Sequence, residues 1–531
     1  MLKSTLGGYS MDSNTLQILI AMIVYMAAVI LIGVYYAKKA NKNSEAFFLG
    51  GRSLGPWMTA MSAEASDMSG WLLMGLPGVA YWCGVADAAW VAIGLALGTY
   101  FNWLITAKRL RRYSIKAGNS ITLPDFFSNR FKEKKPVILM ISALFILVFF
   151  TVYAASCLVT CGKLFSALFG APYIAMMIVG ALFVLLYTIL GGFLAESASD
   201  FMQAIVMVTA LVVVVVLGIF KAGGPDAIVE NAKNIPGFLD FFGMAKPALD
   251  ESGAQIVEAG KPIFGEAARY SVLTIASSMA WGLGYFGMPQ VLLRFMAIRK
   301  ENELKASRRI AMIWVVISLA VAVFIGIMGR HLFPISHLTA SDAESVFITL
   351  STSLLPPLLA GFVMAGILAA TISSSDSYLL IAASAFAKNI YQGTFKKNAS
   401  DKTVMIITRI TLIIITAVAM IIALDENSVI FKIVSFAWAG FGATFGPIML
   451  FSLFWKRTTR AGAIAGMVSG GVMVFVWKLL ISKLGGVFAI YELLPAFIFS
   501  SIIIVAVSLL TKKPSAEIEE EFEAVRAGEM E

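Results

Sequence analysis

Charge is scarce in this 531-residue chain: Asp, Glu, Lys and Arg make up 14% of it, against 59% hydrophobic residues. That balance excludes a soluble globular protein and places the chain among polytopic α-helical membrane proteins. Histidine is nearly missing, with only His331 and His337, both in one extramembrane loop, and cysteine is limited to Cys83, Cys157 and Cys161. Three cysteines build no disulfide framework; Cys157 and Cys161 share a helix face at i, i+4 and read as packing thiols. Neither a His/Cys metal centre nor a membrane-embedded enzyme is expected, since no intramembrane histidine is present to serve as base or ligand. The net charge of +9 sits mostly in short loops, so it speaks of topology and not of nucleic acid. A transporter-like sensor would need a cytoplasmic module, for which the residues after the last apolar run leave little room.

What is abundant is long apolar runs. Thirteen are expected to cross the membrane, at about 15–36, 56–82, 86–107, 136–162, 172–192, 198–220, 269–293, 309–330, 345–387, 403–424, 429–454, 461–482 and 487–511. The ninth is too long for one upright helix and is expected to begin with a short interfacial segment before Pro356 and Pro357. The first is followed by Lys38, Lys39 and Lys42 and reads as a retained helix, not a cleaved signal. Alternate loops carry the basic clusters: Lys108, Arg109, Arg111 and Arg112; Arg299, Lys300, Lys305, Arg308 and Arg309; Lys396, Lys397, Lys456, Arg457 and Arg460. Those loops are expected inside, which puts the N-terminus outside and the C-terminus in the cytoplasm of a cell-membrane protein. The end of the chain, 512–531, reads as an acidic amphipathic tail, solvated as a helix or disordered.

Two of the runs carry helix breakers at membrane depth. The second contains SAEASDMSGWLLMGLPG, Ser62 to Gly78, with Glu64, Asp67, Ser66, Ser69, Gly70, Gly75 and Pro77; the seventh contains Gly282, Gly284, Gly287 and Pro289. A carboxylate at a helix centre costs about 2.5–3.5 kcal/mol, so Glu64 and Asp67 are expected to face the interior. Unwound backbone at that depth is tolerated where it is buried or lines a site. Runs two to six and seven to eleven make two sets of five, roughly 56–220 and 269–454. Odd-numbered sets must be inverted relative to each other, the architecture of many secondary transporters, with the site between the broken helices. Gly282 to Gly287 also spells GxGxxG, but no strand precedes it, so no dinucleotide is expected. The ninth run adds AGILAATISSSDSYLL, Ala365 to Leu380, dense in hydroxyls. Hard cations such as Na⁺ take oxygen ligands, and Ser373 and Ser374 with the Ala370 carbonyl one turn earlier are the candidates.

Several blocks together resemble the solute:sodium symporter family, and within it the bacterial sodium/proline symporters. They are GGRSLGPW (Gly50 to Trp57), the Ser62 to Gly78 stretch, FFTVYAAS (Phe149 to Ser156), LYTILGGFLA (Leu186 to Ala195), WGLGYFGMPQVLLRFMA (Trp281 to Ala297) and FAWAGFGATFGP (Phe436 to Pro447). The resemblance runs from about residue 15 to 510. It implies an all-α polytopic fold with a LeuT-like 5+5 inverted repeat in one transporter domain, and sodium-coupled uptake of proline by alternating access. It implies a sodium site of the Ala65, Met68 and Ala370 carbonyls with the Ser373 and Ser374 hydroxyls, and a part for Asp67, Ser69 and Gly70 in sodium and substrate affinity. The matching substrate positions are Trp71, Gly75, Tyr153, Trp281, Tyr285 and Pro289; Arg52 and Asp200 fall on positions linked to coupling. Sodium is then the co-transported ion, with no organic cofactor; the oligomeric state is left open.

Three residues depart from that pattern. Glu64 stands where a glycine is expected, and pairing with a basic residue, holding a proton and tuning cation choice all remain open for it. Asp376 and Tyr378 replace a small hydroxyl and a glutamine, and Asp376 with Ser377 and Asp200 forms a candidate second cation site. Another small amino acid or carboxylate as substrate, and lithium or proton coupling, stay open.

Overall fold

The computed structural model describes residues 5–6, 9–10, 12–40 and 44–528; Lys42 lies outside the described residues. Apolar helices dominate because a helix satisfies its own backbone N–H and C=O groups, the condition for lying in hydrocarbon. Ten are long and apolar enough to cross a membrane: Ser13–Tyr36, Val85–Lys116, Val137–Phe169, Gly192–Lys221, Glu301–Leu332, Pro357–Phe395, Asp401–Ile422, Ile430–Phe454, Arg460–Leu484 and Leu493–Leu510. The remaining three expected runs are shorter or interrupted, and thirteen crossings are reached only by counting them. The fifth is Tyr173–Ile189, which turns into the sixth at Gly192, where φ is 60°. The second and seventh are the broken ones. As expected, a short helix, Val346–Leu354, precedes the ninth run.

The broken second run is the hub. It packs on the ninth (Pro357–Ser384), the sixth, the eighth (Leu304–Leu332) and the half-helix Pro289–Ala297. Burial follows that order: 83% of the most apolar stretch of the ninth run is buried, against 28% for Ser13–Tyr36, which leaves the first helix as a lipid-facing brace. The third run meets the seventh backbone to backbone. A Cβ on Gly98 would lie 2.3 Å from the Gly282 carbonyl oxygen, and one on Gly284 2.0 Å from Trp438 Nε1. The GxGxxG stretch is therefore a close-packing device between helices.

The connection from 221 to 269 holds a helix, Pro225–Lys233, and two antiparallel strand pairs, Gly243–Met244 with Ala268–Arg269 and Val257–Glu258 with Lys261–Pro262. One expectation needs correcting. The tail is neither disordered nor solvated all round. Its helix, Ala516–Ala527, buries Ile518, Phe522 and Val525, spaced for one face, and its acids meet basic loops, with Lys132 at 3.0 Å from Glu517 and 2.7 Å from Glu521. The same end of the molecule gathers Lys108 and Arg112 on Glu301, Arg111 on the Ile298 carbonyl and Arg109 on that of Leu453.

Candidate ion and solute site

Pro56 starts the helix of the second run at its first position, and the helix holds to Gly70, where Ser69 adopts φ 49° and ψ −169°. A positive φ at a residue bearing a side chain is strained, and such strain survives where packing dictates it. Here Gly70 allows it: a Cβ there would fall 2.6 Å from the Thr160 hydroxyl on the fourth run. Beyond the break the chain resumes as a widened π-helical turn, Trp71–Gly75.

The break opens toward the ninth run. The Ser373 hydroxyl donates to the Ala65 carbonyl at 2.9 Å and to the Ala370 carbonyl at 3.2 Å, and the Ser374 hydroxyl to Ala65 at 3.3 Å. Ala65, Ala370, Ser373 and Ser374 are all fully buried. Four of the five expected sodium-site residues thus meet, and the donor set is oxygen only, the chemistry of a hard monovalent cation. Met68 is buried one residue before Ser69, and its carbonyl accepts the Trp71 N–H.

Asp67 turns toward the seventh run. Its Oδ2 accepts from the Tyr285 hydroxyl at 2.7 Å and its Oδ1 from the Gln290 amide at 3.4 Å, while its carbonyl receives the hydroxyls of Tyr153 and Tyr378 at 3.4 Å each. Tyr153 and Tyr378 stack at 4.2 Å. Asp67 therefore ties the two broken runs together.

On the far side of Tyr285 lies a cluster of rings. Trp281 stacks with Trp71 at 5.6 Å, Tyr491 at 5.2 Å and Trp438 at 6.0 Å, and Phe431 lies 5.2 Å away. Trp438 donates its indole N–H to the Trp281 carbonyl at 2.8 Å and meets the Tyr285 ring edge-on. A Cβ on Gly75 would touch the Trp71 ring at 3.0 Å, so Gly75 sets how closely that indole folds over the break. Such a cluster offers an apolar wall to a ring and π-faces to a neighbouring cationic nitrogen. Pro289 is not in it: it opens the half-helix Pro289–Ala297 and lines a separate narrow cavity with Phe48, Ile121, Phe193 and Leu380.

The coupling candidates divide as well. Asp200 and Ser377 converge on Arg294, whose guanidinium reaches Asp200 Oδ2 at 3.1 Å, Ser377 Oγ at 3.0 Å and Glu196; Ser62 donates to Asp200 at 2.7 Å. Asp376 Oδ1 accepts the Ser377 N–H at 2.8 Å. Arg52 lies elsewhere, bonded to the Met296 and Ser120 carbonyls at 2.7 Å each, where it pins the segment before the second run to the end of Pro289–Ala297.

Arg294 and Glu196 are the site residues the sequence reading missed. Both had a signal: Arg294 is an arginine in an apolar block whose expected span stopped one residue short of it, and Glu196 precedes Asp200 by four residues, one turn along the same face. Phe431, Trp438 and Tyr491 carried none, since an aromatic in an apolar run reads as lipid-facing or core.

The model of the sodium:solute symporter family matches residues 47–470. The sodium/proline symporters of Staphylococcus aureus strains USA300 / TCH1516 and NCTC 8325 / PS 47 are each 41% identical to the chain over 521 residues, spanning 97% of this chain and 96% of theirs. Among solved structures, a substrate-bound, outward-open Na⁺-coupled sialic acid symporter superposes with a TM-score of 0.73 at 17% identity, over 94% of this chain and 99% of that one. Mhp1, a nucleobase-cation-symport-1 family transporter in a closed conformation, superposes at 0.54 with 14% identity, over 90% and 98%. At such identities the likeness is one of fold, the LeuT-like transporter fold that two paired broken runs imply. With a helical multi-pass body, an oxygen-lined break and a family model covering most of its length, the chain belongs to the sodium:solute symporter family.

Proposed function

We propose that the protein takes up L-proline together with sodium across the cell membrane by alternating access. The observation that carries this reading is the junction of the two broken runs. Ser373 and Ser374 converge with the Ala65 carbonyl on one side, the Trp281 ring cluster lies on the other, and Asp67 joins them through Tyr285. Sodium bridging the second and ninth runs draws them together; proline then docks, its ring against Trp71, Trp281 and Tyr285, its carboxylate on backbone amides freed at the break. The 41% identity to proteins named as sodium/proline symporters supports the substrate.

The finer features follow the same reading. Thirteen crossings, ten of them in two inverted sets of five at 56–220 and 269–454, leave the N-terminus outside and the C-terminus in the cytoplasm, in keeping with the basic loops gathered at one end. The chain acts as a transporter and not as an enzyme, with sodium as its cargo and no organic cofactor. Asp200, Asp376 and Ser377 are the candidates for a second cation position, beside the Arg294 guanidinium that bonds Asp200 and Ser377. One charge moving through 100 mV yields about 2.3 kcal/mol and a tenfold sodium gradient about 1.4. Together they sustain an accumulation of several hundred-fold at one-to-one stoichiometry.

A panel of labelled amino acids and small carboxylates, offered to proteoliposomes with sodium outside or with choline in its place, tests the reading. Sodium-dependent proline uptake is expected to exceed that of every other solute. Uptake of another solute in its stead would reassign the substrate, and uptake indifferent to choline would end the coupling claim.

A further inference from the structure

Glu64 is the residue of the broken run that neither the sodium site nor the ring cluster uses. It is 1% exposed, and Oε1 accepts the Trp103 indole N–H at 3.3 Å. No basic side chain pairs with it among the described residues, and Oε2 has no hydrogen-bond partner. Its surroundings are short of donors in the same way. Asn102 gives its amide N–H to the Tyr285 carbonyl at 2.9 Å and leaves Oδ1 buried and unpartnered; Gln290 gives its N–H to Asp67 and leaves Oε1 likewise. The hydroxyl of Thr106, one turn beyond Asn102 and Trp103, is also buried without a partner.

These groups belong together. Tyr285 carries Asn102 on its carbonyl and Asp67 on its hydroxyl, Asp67 carries Gln290, and Glu64 precedes Asp67 by one turn of the same helix. The close approach of Gly98 to Gly282 holds the third run against the seventh, so the arrangement is built into the packing. Buried polar atoms are normally satisfied, and a buried charge normally finds a counter-charge. A water molecule would serve the amide oxygens but leave the carboxylate uncompensated. A carboxylate with amide and hydroxyl oxygens, and no nitrogen or sulfur acceptor, is the donor set of a hard alkali cation.

We propose that Glu64, Asn102 and Gln290 bind a further sodium ion on the flank of the break that faces the third run, away from Ser373 and Ser374. Glu64 supplies the charge, while Asn102, which holds the Tyr285 carbonyl of the seventh run, and Gln290, a seventh-run residue that holds Asp67 of the second, make occupancy of this position favour the closed approach of the two broken runs. The proposal rests on the sodium-symport reading.

The test is equilibrium binding of ²²Na⁺ to purified protein, run beside sodium activation of uptake in liposomes, for the wild type, Glu64→Gln and Asn102→Ala. Wild type is expected to bind sodium cooperatively, with a Hill coefficient above one. Glu64→Gln is expected to lose one bound sodium per protein and to raise the half-activating sodium concentration about tenfold; Asn102→Ala should shift it in the same direction by less. Should Glu64→Gln not fold, Asn102→Ala decides alone. Unchanged stoichiometry and activation in the variants would overturn this site while leaving the symport reading intact. So would a Glu64→Gln protein that keeps every sodium and loses only its response to pH, which would make Glu64 a proton carrier. A wild type that binds no sodium would overturn the symport reading itself.

Discussion

The break in the second run and the break in the seventh use one device for two purposes. In the second, the turn at Ser69 sets carbonyls and hydroxyls facing each other, with Ala65 receiving both Ser373 and Ser374. In the seventh, the tight turn Ala280–Phe286 is wound through glycines that let other helices approach, and what it presents is aromatic faces. Interrupting a helix at membrane depth frees backbone groups in either case. The side chains around the interruption differ, oxygens at the second and rings at the seventh, and under the proposed reading they decide whether an ion or an apolar ring is served. The hydrogen bonds that Asp67 accepts, from Tyr285 at 2.7 Å and from Gln290 at 3.4 Å, span the two.

The division of labour can be broken most forcefully at Trp281. Trp281→Ala removes the ring that stacks on Trp71, Trp438 and Tyr491, and the half-saturating proline concentration is expected to rise about thirtyfold, as for a buried aromatic anchor. Sodium activation, measured at saturating proline, should move by less than about twofold; equal losses in both constants would show that the two breaks are not separate. Tyr285→Phe cuts the shorter of the two bonds between them, a hydrogen bond to a carboxyl group. It is expected to weaken proline and sodium half-saturation together, by about tenfold each, when each is titrated at saturating levels of the other. Ser374→Ala is the converse of Trp281→Ala. Half-activating sodium should rise about fivefold while proline affinity at saturating sodium stays put.

The smallest effect belongs to the tail helix, which touches neither break. Lys132→Glu should free it, seen as faster protease cleavage after residue 512, with transport constants altered by less than about twofold, as for exposed ion pairs. The pairing holds Lys132 above the ordinary lysine pKa of 10.5, chiefly through its hydrogen bond to Glu521. Its folded-state pKa being raised, that contribution is present at neutral pH and lost only as the pH climbs past 10.5 and through the folded value.

Much of this was legible in the chain itself. Apolar runs of spanning length reveal themselves by composition, and breakers at Ser69, Gly70 and Gly282 to Pro289 located both interruptions, because nothing but a site or a tight packing contact tolerates them in a membrane. The meeting of Ser373 and Ser374 with the second run was legible too, since six hydroxyls and acids in the seven residues from Thr371 to Ser377 is an anomaly in an apolar helix. What was not legible depends on partners far apart in sequence. Tyr491 reaches Trp281 from the segment before the last helix, and Trp438 bonds its carbonyl across 157 positions. Arg294 finds Glu196 only once the sixth and seventh runs lie side by side. The docked tail was misread because its acidic residues outnumber the three apolar ones that form its face.

The most direct test of the central claim is a paired flux measurement with purified protein in liposomes, following ²²Na⁺ and labelled proline in the same vesicles at zero membrane potential. Proline outside should accelerate sodium entry, and sodium outside should accelerate proline entry, in a fixed ratio that Ser374→Ala diminishes at low sodium. Proline entry that proceeds equally in choline, with no solute-evoked sodium flux, would contradict it.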